Sequence, residues 1–308
     1  MESVGLVGNV NPVVPFPHVG KEDRVLVTGA TGWVGRELVA RLMTFRPEIP
    51  LLLVASKPRV MDLGSATLAV EPWDHGAILR WEPTIAVHLA FLTREFEVRW
   101  GLAEYEKQNQ HLSMLATQLY GIPSIRGVAV ASSGAALTML DSSYGRLKAK
   151  DERHFSTMGL KTGTPTVIGR IWSLSGAHCT KPTAFALYDL IRQTLSKPVI
   201  EIEATREVRR SYVDAGEFLE ICLGALGAGH SGVINSAGSV IEIGQLALEI
   251  QQTLGRVAPI RRPPARHAPD DYFAQDDVQA EWAHILGVSV SSLTEQIGRS
   301  SGVLTGAN

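Results

Sequence analysis

This sequence is short of several things, and each shortage removes a class of protein. It holds only two cysteines, Cys179 and Cys222. They make neither a disulfide framework nor a metal-ligand spacing, so no metal is expected and the usage suits a reducing, cytoplasmic setting. Charge of neither sign dominates: the formal net charge is −2. No basic cluster interleaved with aromatics is present, which leaves nucleic acid an unexpected partner. No apolar run approaches the ~20 residues needed to cross a bilayer, so no membrane partner is expected either. The opening "MESVGLVGNVNPVVPFPHVG" lacks a basic segment followed by an unbroken apolar one, and so does not read as a secretory signal. Its prolines at 12, 15 and 17 argue against a helix or a central strand. Residues 1–20 are therefore expected to be an extended tail, lying on the fold or left mobile.

What remains is a globular composition, 45% apolar and 19% charged over 308 residues, enough for about two domains or one large one with a secondary lobe. From Arg24 onward short Val-rich runs alternate with segments of helical periodicity. "RVLVTGA", "IPLLLVAS", "ATLAVEPW", "TIAVHLA", "SIRGVAVASS" and "PTVIGRIW" read as strands. "WVGRELVARLM", "DHGAILRW" capped by Asp74, Trp100–Tyr120 and Tyr144–Met158 read as helices. The alternation predicts an α/β fold: a doubly wound, mostly parallel Rossmann-type sheet with helices on both faces. After Trp172 the pattern mixes short strands and helices, as in "KPVIEIE" and "VINSAGSVIEIGQLALEIQQTL". The expected organisation is a dinucleotide-binding domain over 21–172, with a segment near 208–236 returning to it. A smaller C-terminal α/β lobe over 173–308 would bind the substrate.

The chemistry starts in "VLVTGATGWVGRELV", which sets Gly29, Gly32 and Gly35 between a strand and a helix. At the first βα turn of an alternating pattern this spacing has a mechanism. Gly29 permits a tight turn, Gly32 lets a pyrophosphate approach the backbone, and Gly35 lets the helix pack closely. Amides from Thr31 through Trp33 and Val34 would face phosphate at the positive end of the helix. A dinucleotide site selective for NAD usually has an acid after the second strand, to accept from the ribose 2′-hydroxyl. Here that place reads "VASKPR", with Ser56, Lys57 and Arg59 and no acid. An acid would repel a 2′-phosphate, whereas Ser56 and Lys57 could hold one, so NADP(H) is favoured and NAD(H) stays possible. A basic surface loop is the plain alternative. Glu71, at a strand end three residues before Asp74, is placed to accept from an adenine amino group.

"DSSYGRLKAKDE" sets Tyr144 and Lys148 four residues apart, on one helical face about a turn apart. Such a pair often arises by chance on an exposed helix. Next to a nicotinamide site it acquires a use. Hydride transfer requires the substrate oxygen to exchange a proton, and a tyrosine with its pKa of ~10 lowered by a cation can do that. Lys148 would supply the cation and hold the nicotinamide ribose. Ser133, at the end of "VAVASS", would orient the carbonyl, since parallel strands deliver ligands to their carboxyl ends. Ser142 and Ser143 look like helix-capping residues.

Together "TGATGWVG", "HLA" (His88 to Ala90), "ASSGAA" and "YGRLKAKDE" resemble the extended short-chain dehydrogenase/reductases, in the branch called NAD-dependent epimerase/dehydratase. Most members act on nucleotide sugars. The resemblance covers residues 23 to about 300 and implies cofactor contacts at Leu89 and Ala90. Asn109 matches an asparagine that members carry in the same helix, and "RIWSLSGAH" resembles the segment that passes the nicotinamide. "RRSYVDAGEFLE" resembles a segment whose arginine contacts the substrate pyrophosphate, which falls on Arg210; an ion-paired surface arginine is the alternative there. The resemblance also implies a homodimer, formed by the helices Trp100–Tyr120 and Tyr144–Met158.

Several positions depart from the family pattern. Gly134 and Ala135 stand where 4,6-dehydratases carry an Asp-Glu pair, which argues against dehydration. Ser173 replaces a diphosphate-holding asparagine, Ser211 replaces an aspartate, and the loop from Ser133 to Tyr144 is short. The leading expectation is an NADP(H)-dependent keto-reductase or dehydrogenase acting on a nucleoside diphosphate sugar. The alternatives are an epimerase retaining NAD, a reductase of a small aldehyde or ketone, and a non-catalytic dinucleotide sensor.

Overall fold

The computed structural model describes residues 15–305. β1 (Val25–Thr28) is buried at every position, as a strand covered on both faces must be. It leads through the glycine turn into α1 (Trp33–Phe45), then β2 (Leu51–Ala55), β3 (Arg59–Asp62) and β4 (Thr67–Pro72). α2 (His75–Trp81) follows, with Asp74 accepting from the Ala77 amide at 3.0 Å to cap it. β5 (Ile85–His88), α3 (Arg94–Trp100), α4 (Leu102–Thr117), β6 (Gly127–Ser133), the short α5 (Ala135–Thr138), α6 (Ser143–Thr162) and β7 (Thr166–Ile171) complete the first half.

The chain then builds a second layer. β8 (Ser173–Ser175), α7 (Ala186–Ser196), β9 (Ile200–Glu201) and β10 (Val208–Asp214) precede α8 (Ala215–Gly227) and β11 (Gly232–Asn235). β12 (Val240–Glu242), α9 (Ile243–Thr253), β13 (Ile260–Arg261), β14 (Asp270–Tyr272), α10 (Val278–Leu286) and α11 (Leu293–Thr305) finish it. The main sheet runs β11-β7-β6-β5-β1-β2-β4-β3, parallel throughout except for β3 at its edge. The predicted doubly wound Rossmann-type fold is what the chain adopts. β11 lies beside β7, so 232–235 rejoins the first sheet from the second half.

α8 is buried along nearly its whole length because it is apolar on all sides and wedged against the sheet. Two carboxylates in that helix are satisfied by charged and backbone partners. Glu220 takes Arg41 and the Phe16 amide, and Glu217 takes Arg299 and the Ser291 amide. The smaller sheet orders β12-β10-β14 with β8 also on β10, over a core that includes Leu187, Ile191, Leu246 and Ile297. Trp33 packs against both cores, joining the halves beside the glycine turn.

Several sequence expectations need correction. Residues 1–14 of the expected tail lie outside the described residues, and 15–20 take the first of the two expected arrangements, lying on the fold rather than mobile. Phe16 is fully buried and its amide donates to Glu220 Oε1 at 2.8 Å. The expected helix Trp100–Tyr120 begins only at Leu102, after Gly101 at φ +82°, a conformation that costs glycine little, and closes in a 3-10 turn over Gln118–Gly121; α3 before Gly101 was not expected. Strand β3 was not expected; its pairing with β4 puts Arg59 in an edge strand rather than in a loop. The helix expected from Tyr144 to Met158 spans Ser143–Thr162.

Candidate active site

The carboxyl ends of β1, β5 and β6 meet at one edge, and the glycine turn lies across it. Gly29 sits at φ +71°, and a Cβ there would fall 2.6 Å from the Ala90 amide nitrogen. Leu89 and Ala90 are thus in direct contact with the turn. A Cβ on Gly35 would meet the Gly29 carbonyl oxygen at 2.5 Å, so α1 packs on the turn only because that side chain is absent. Gly32 differs: a Cβ there would touch only the Gly29 oxygen, at 3.4 Å, and its other side is open. Gly32 is also the N-cap of α1 and offers no capping side chain. The first amides of this 13-residue helix therefore point toward that open side with its positive dipole end. The arrangement fits a dinucleotide pyrophosphate.

Ser56 and Lys57 follow β2 and are exposed, and Glu71 is exposed on β4 in register with Val54. Sequence reasoning missed Arg36. Its Nε donates to the Thr31 carbonyl at 3.2 Å and its Nη1 to the Asp62 carbonyl at 2.6 Å. This fixes a guanidinium between the glycine turn and the β3 edge strand. Its signal was a basic residue directly after the third glycine. Trp33 turns its ring away, edge-on to Phe185 and Tyr188, so only its backbone serves the turn.

Ser142 caps α6 by accepting from the Gly145 amide at 3.0 Å, which sets the phase of the helix. Tyr144 and Lys148 consequently face β6. The buried Lys148 Nζ donates to the Ala131 carbonyl at 2.9 Å and lies 3.8 Å from the centre of the Phe91 ring. Phe91, directly after Ala90, also meets Tyr144 edge-on at 5.5 Å. One aromatic ring thus links the glycine turn to the Tyr-Lys helix. Burial pulls the Lys148 pKa down to about 8 against the opposing pull of Asp151 and Glu152. Tyr144 is shifted upward, not lowered by Lys148 as expected: burial raises it, hydrogen bonding to Ser133 works against that, and the neighbouring Tyr272 phenol raises it further. His88 is held neutral: burial, then the Lys148 charge, lower its pKa to about 3, and its Nδ1 is bonded to Thr28 Oγ1 at 2.7 Å. Asn109 accepts from the Leu92 amide at 2.8 Å and so ties α4 to the segment beyond Ala90.

Behind these residues Glu152 grips Arg170 through two bonds of 2.6 and 2.9 Å and accepts from Ser132 Oγ at 2.5 Å. Arg170 reaches Asn235 at 3.3 Å, and Asn235 donates to Asp276 at 2.5 Å. This chain fastens the Lys148 helix to the second half of the protein.

Arg210 lies on the far side of Tyr272 from Ser133. The Arg210 guanidinium carbon stands 5.7 Å from the Tyr272 ring centre, and Tyr272 Oη is 3.0 Å from Ser133 Oγ. Arg210 is also engaged by Asp270, to its carbonyl at 2.8 Å and its carboxylate at 3.0 Å. A phosphate would have to share or displace that carboxylate. Tyr272 was not anticipated: it is 139 residues from Ser133 in the chain and belongs to no glycine or Tyr-Lys signature. Among the described residues no cluster of three or more His, Cys, Asp or Glu could hold a metal, and no helix is long and apolar enough to cross a membrane.

No family model matches the sequence, and no curated protein matches it. Solved structures do. A UDP-N-acetylglucosamine 4-epimerase from Methanobrevibacter ruminantium M1, in complex with UDP-N-acetylmuramic acid, aligns over 94% of this chain and 100% of its own, at 18% identity and a TM-score of 0.77. A UDP-glucose 4-epimerase from Thermus thermophilus, in complex with NAD, aligns over 92% and 100%, at 18% identity and a TM-score of 0.69. A dTDP-glucose 4,6-dehydratase from Streptomyces venezuelae, a double mutant with NAD bound, aligns over 92% and 97%, at 16% identity and a TM-score of 0.69. At such identities what is shared is the fold, over nearly the whole of each chain.

Proposed function

We propose that this chain is an NAD(P)-dependent oxidoreductase of the extended short-chain dehydrogenase/reductase type, acting on a nucleotide-linked sugar. The observation that carries the reading is the convergence of Ser133, Tyr144 and Lys148 beside an open glycine turn at one sheet edge. A bound nicotinamide would supply or accept the hydride. The chain's own groups handle the proton: Ser133 orients the substrate oxygen, and Tyr144 Oη exchanges the proton with it. Lys148, positive below its pKa of about 8, favours the tyrosinate that this exchange creates. Gly134 and Ala135 carry no carboxylate, so the elimination step of a dehydratase has no acid or base there.

NADP(H) is the preferred cofactor in this reading. The end of β2 offers Ser56 and Lys57 and no acid, and Arg36 is anchored beside the turn through two backbone carbonyls. Epimerisation with retained NAD is the second reading, because the similar solved structures include 4-epimerases in complex with NAD. The substrate would reach Ser133 from the Tyr144 side, with its diphosphate toward Arg210 past the Tyr272 ring that stands between Ser133 and Arg210. A homodimer through α4 and α6 is part of the proposal, supported by exposed Met114 and Leu160 on those helices.

One experiment separates the readings. The purified protein is denatured and any released nucleotide identified, and the native protein is assayed with nucleoside diphosphate sugars and their 4-keto forms, using NADPH and NADH. Retained NAD with sugar interconversion establishes the epimerase. Exchangeable NADPH consumed by the keto sugars establishes the reductase. If neither cofactor binds, the oxidoreductase reading fails.

A further inference from the structure

Ser133 has a hydroxyl partner from the far half of the protein, and the chemistry of that contact has a direction. Tyr272 closes β14, whose pairing puts Tyr272 opposite Arg210 on β10. Its ring is held between Trp172, with centroids 4.9 Å apart, and the Arg210 guanidinium. Its Oη sits 3.1 Å from the Ala135 amide nitrogen and 3.0 Å from Ser133 Oγ. A backbone N–H can only donate, so Tyr272 Oη accepts from Ala135. The phenol has one hydrogen of its own, and Ser133 Oγ is the acceptor within reach. The Ala135 N–H also leans toward Ser133 Oγ, at 3.3 Å. Ser133 is then an acceptor on the Ala135–Tyr272 side, and its own hydrogen is free for the opposite side, toward Tyr144.

We propose that Tyr272 is a positioning residue for the proton relay: by donating to Ser133 it makes Ser133 a donor toward Tyr144 and the substrate oxygen. The inference rests on the oxidoreductase reading for its purpose; the hydrogen-bond order is argued from the Ala135 amide, which can only donate to Tyr272 Oη. It explains why an aromatic residue of the second lobe reaches back to the end of β6. It also ties the relay to the lobe that carries Arg210, because the Tyr272 ring touches that guanidinium. A substrate that moves Arg210 would move the hydroxyl that orients Ser133.

The test is Tyr272→Phe, which keeps the ring between Trp172 and Arg210 and removes the hydroxyl alone. Tyr144 is followed by tyrosinate absorbance, as the difference between each protein and its Tyr144→Phe counterpart. This titration needs neither substrate nor cofactor, so it is read even if the proposed activity is absent. Tyr272→Phe should raise the Tyr144 midpoint by about half a pH unit to one unit, the equivalent of one neutral hydrogen bond. Ser133→Ala should raise it as well, and adding Tyr272→Phe to Ser133→Ala should raise it no further.

With a substrate in hand, Tyr272→Phe should lower kcat about tenfold and leave KM nearly unchanged. The alkaline shift should reappear in the pH profile of alcohol oxidation. Three results overturn the proposal. The first is an unchanged Tyr144 midpoint, or one that shifts equally without Ser133. The second is a Tyr144 that does not ionise before the fold is lost, for Ser133 would then donate to no tyrosinate. The third is a Tyr272→Phe variant with faster turnover, which would make the hydroxyl an obstruction.

Discussion

Gly32 and Gly35 stand three residues apart in one turn, yet alanine at each should fail in opposite ways. The methyl added by Gly35→Ala would be 2.5 Å from the Gly29 oxygen and 2.6 Å from the Ala30 Cα, both backbone atoms that cannot rotate aside. Ordinary contact needs about 3.5 Å, so α1 and the turn must separate by about an ångström. Overpacking of this kind costs about 1–3 kcal/mol. For a chain this long, that lowers Tm by roughly 1.5 °C for each kcal/mol. The methyl added by Gly32→Ala has its one neighbour at 3.4 Å, and Gly32 has an ordinary φ of −73°.

The chain entropy gained by Gly32→Ala, about 0.4–1 kcal/mol, offsets the small loss of an N-cap glycine. Stability should therefore stay within ~1 kcal/mol of the parent. The methyl would stand in the space where a pyrophosphate must approach, so dinucleotide affinity should fall at least tenfold. Differential scanning calorimetry and NADPH titration by fluorescence give both numbers. A Gly32→Ala protein that binds NADPH like the parent would refute the placement of the phosphates. An equally stable Gly35→Ala protein would refute the packing argument.

Three other outcomes are expected. Burial raises the Glu37 carboxyl from 4.5 to about 7, so the folded chain holds an extra proton between those values. That contribution, at most about 3 kcal/mol, is present below pH 4.5 and lost as pH rises through 7. Urea melts of Glu37→Gln should consequently lose less stability than the parent between pH 5 and about 8, and parallel pH curves would contradict this. Phe16→Ala should cost about 3–5 kcal/mol in denaturant unfolding, because the ring is fully buried in the main core; a change under ~1 kcal/mol would return residues 15–20 to a loose tail. Arg170→Met should destabilise by about 3–5 kcal/mol by stranding Glu152, and replacing both residues with apolar ones should recover much of the loss in a double-mutant cycle.

Much of the fold was readable because its determinants are local. Buried parallel strands must be apolar at every position, and "VLVT", "IAVH" and "TVIG" are short enough to be little else. Glycine spacing in "TGATGWVG" announces a backbone approach, and the four-residue step from Tyr144 to Lys148 places both on one helical face wherever that helix docks. α3 was missed because a seven-residue helix with no buried residue shows no apolar stripe, and β3 because a four-residue edge strand with one buried position has almost no pattern. The burial of Phe16 was not legible because prolines around it signal only an irregular backbone, and an irregular segment can still be pinned by one ring and one buried carboxylate.

The sequence alone determined the main alternation of strands and helices up to Trp172, the glycine turn and the Tyr144–Lys148 spacing, since each is set within a dozen neighbouring residues. Only the tertiary structure decided what stands opposite them. Arg36 became a fixed cation because β3 supplied a carbonyl to hold it. Arg170 joined α6 to Asn235, and Tyr272 met Ser133, across separations of 65 and 139 residues. Contacts of that range depend on how strand twist and helix docking close the chain upon itself, and no local pattern encodes which residue arrives.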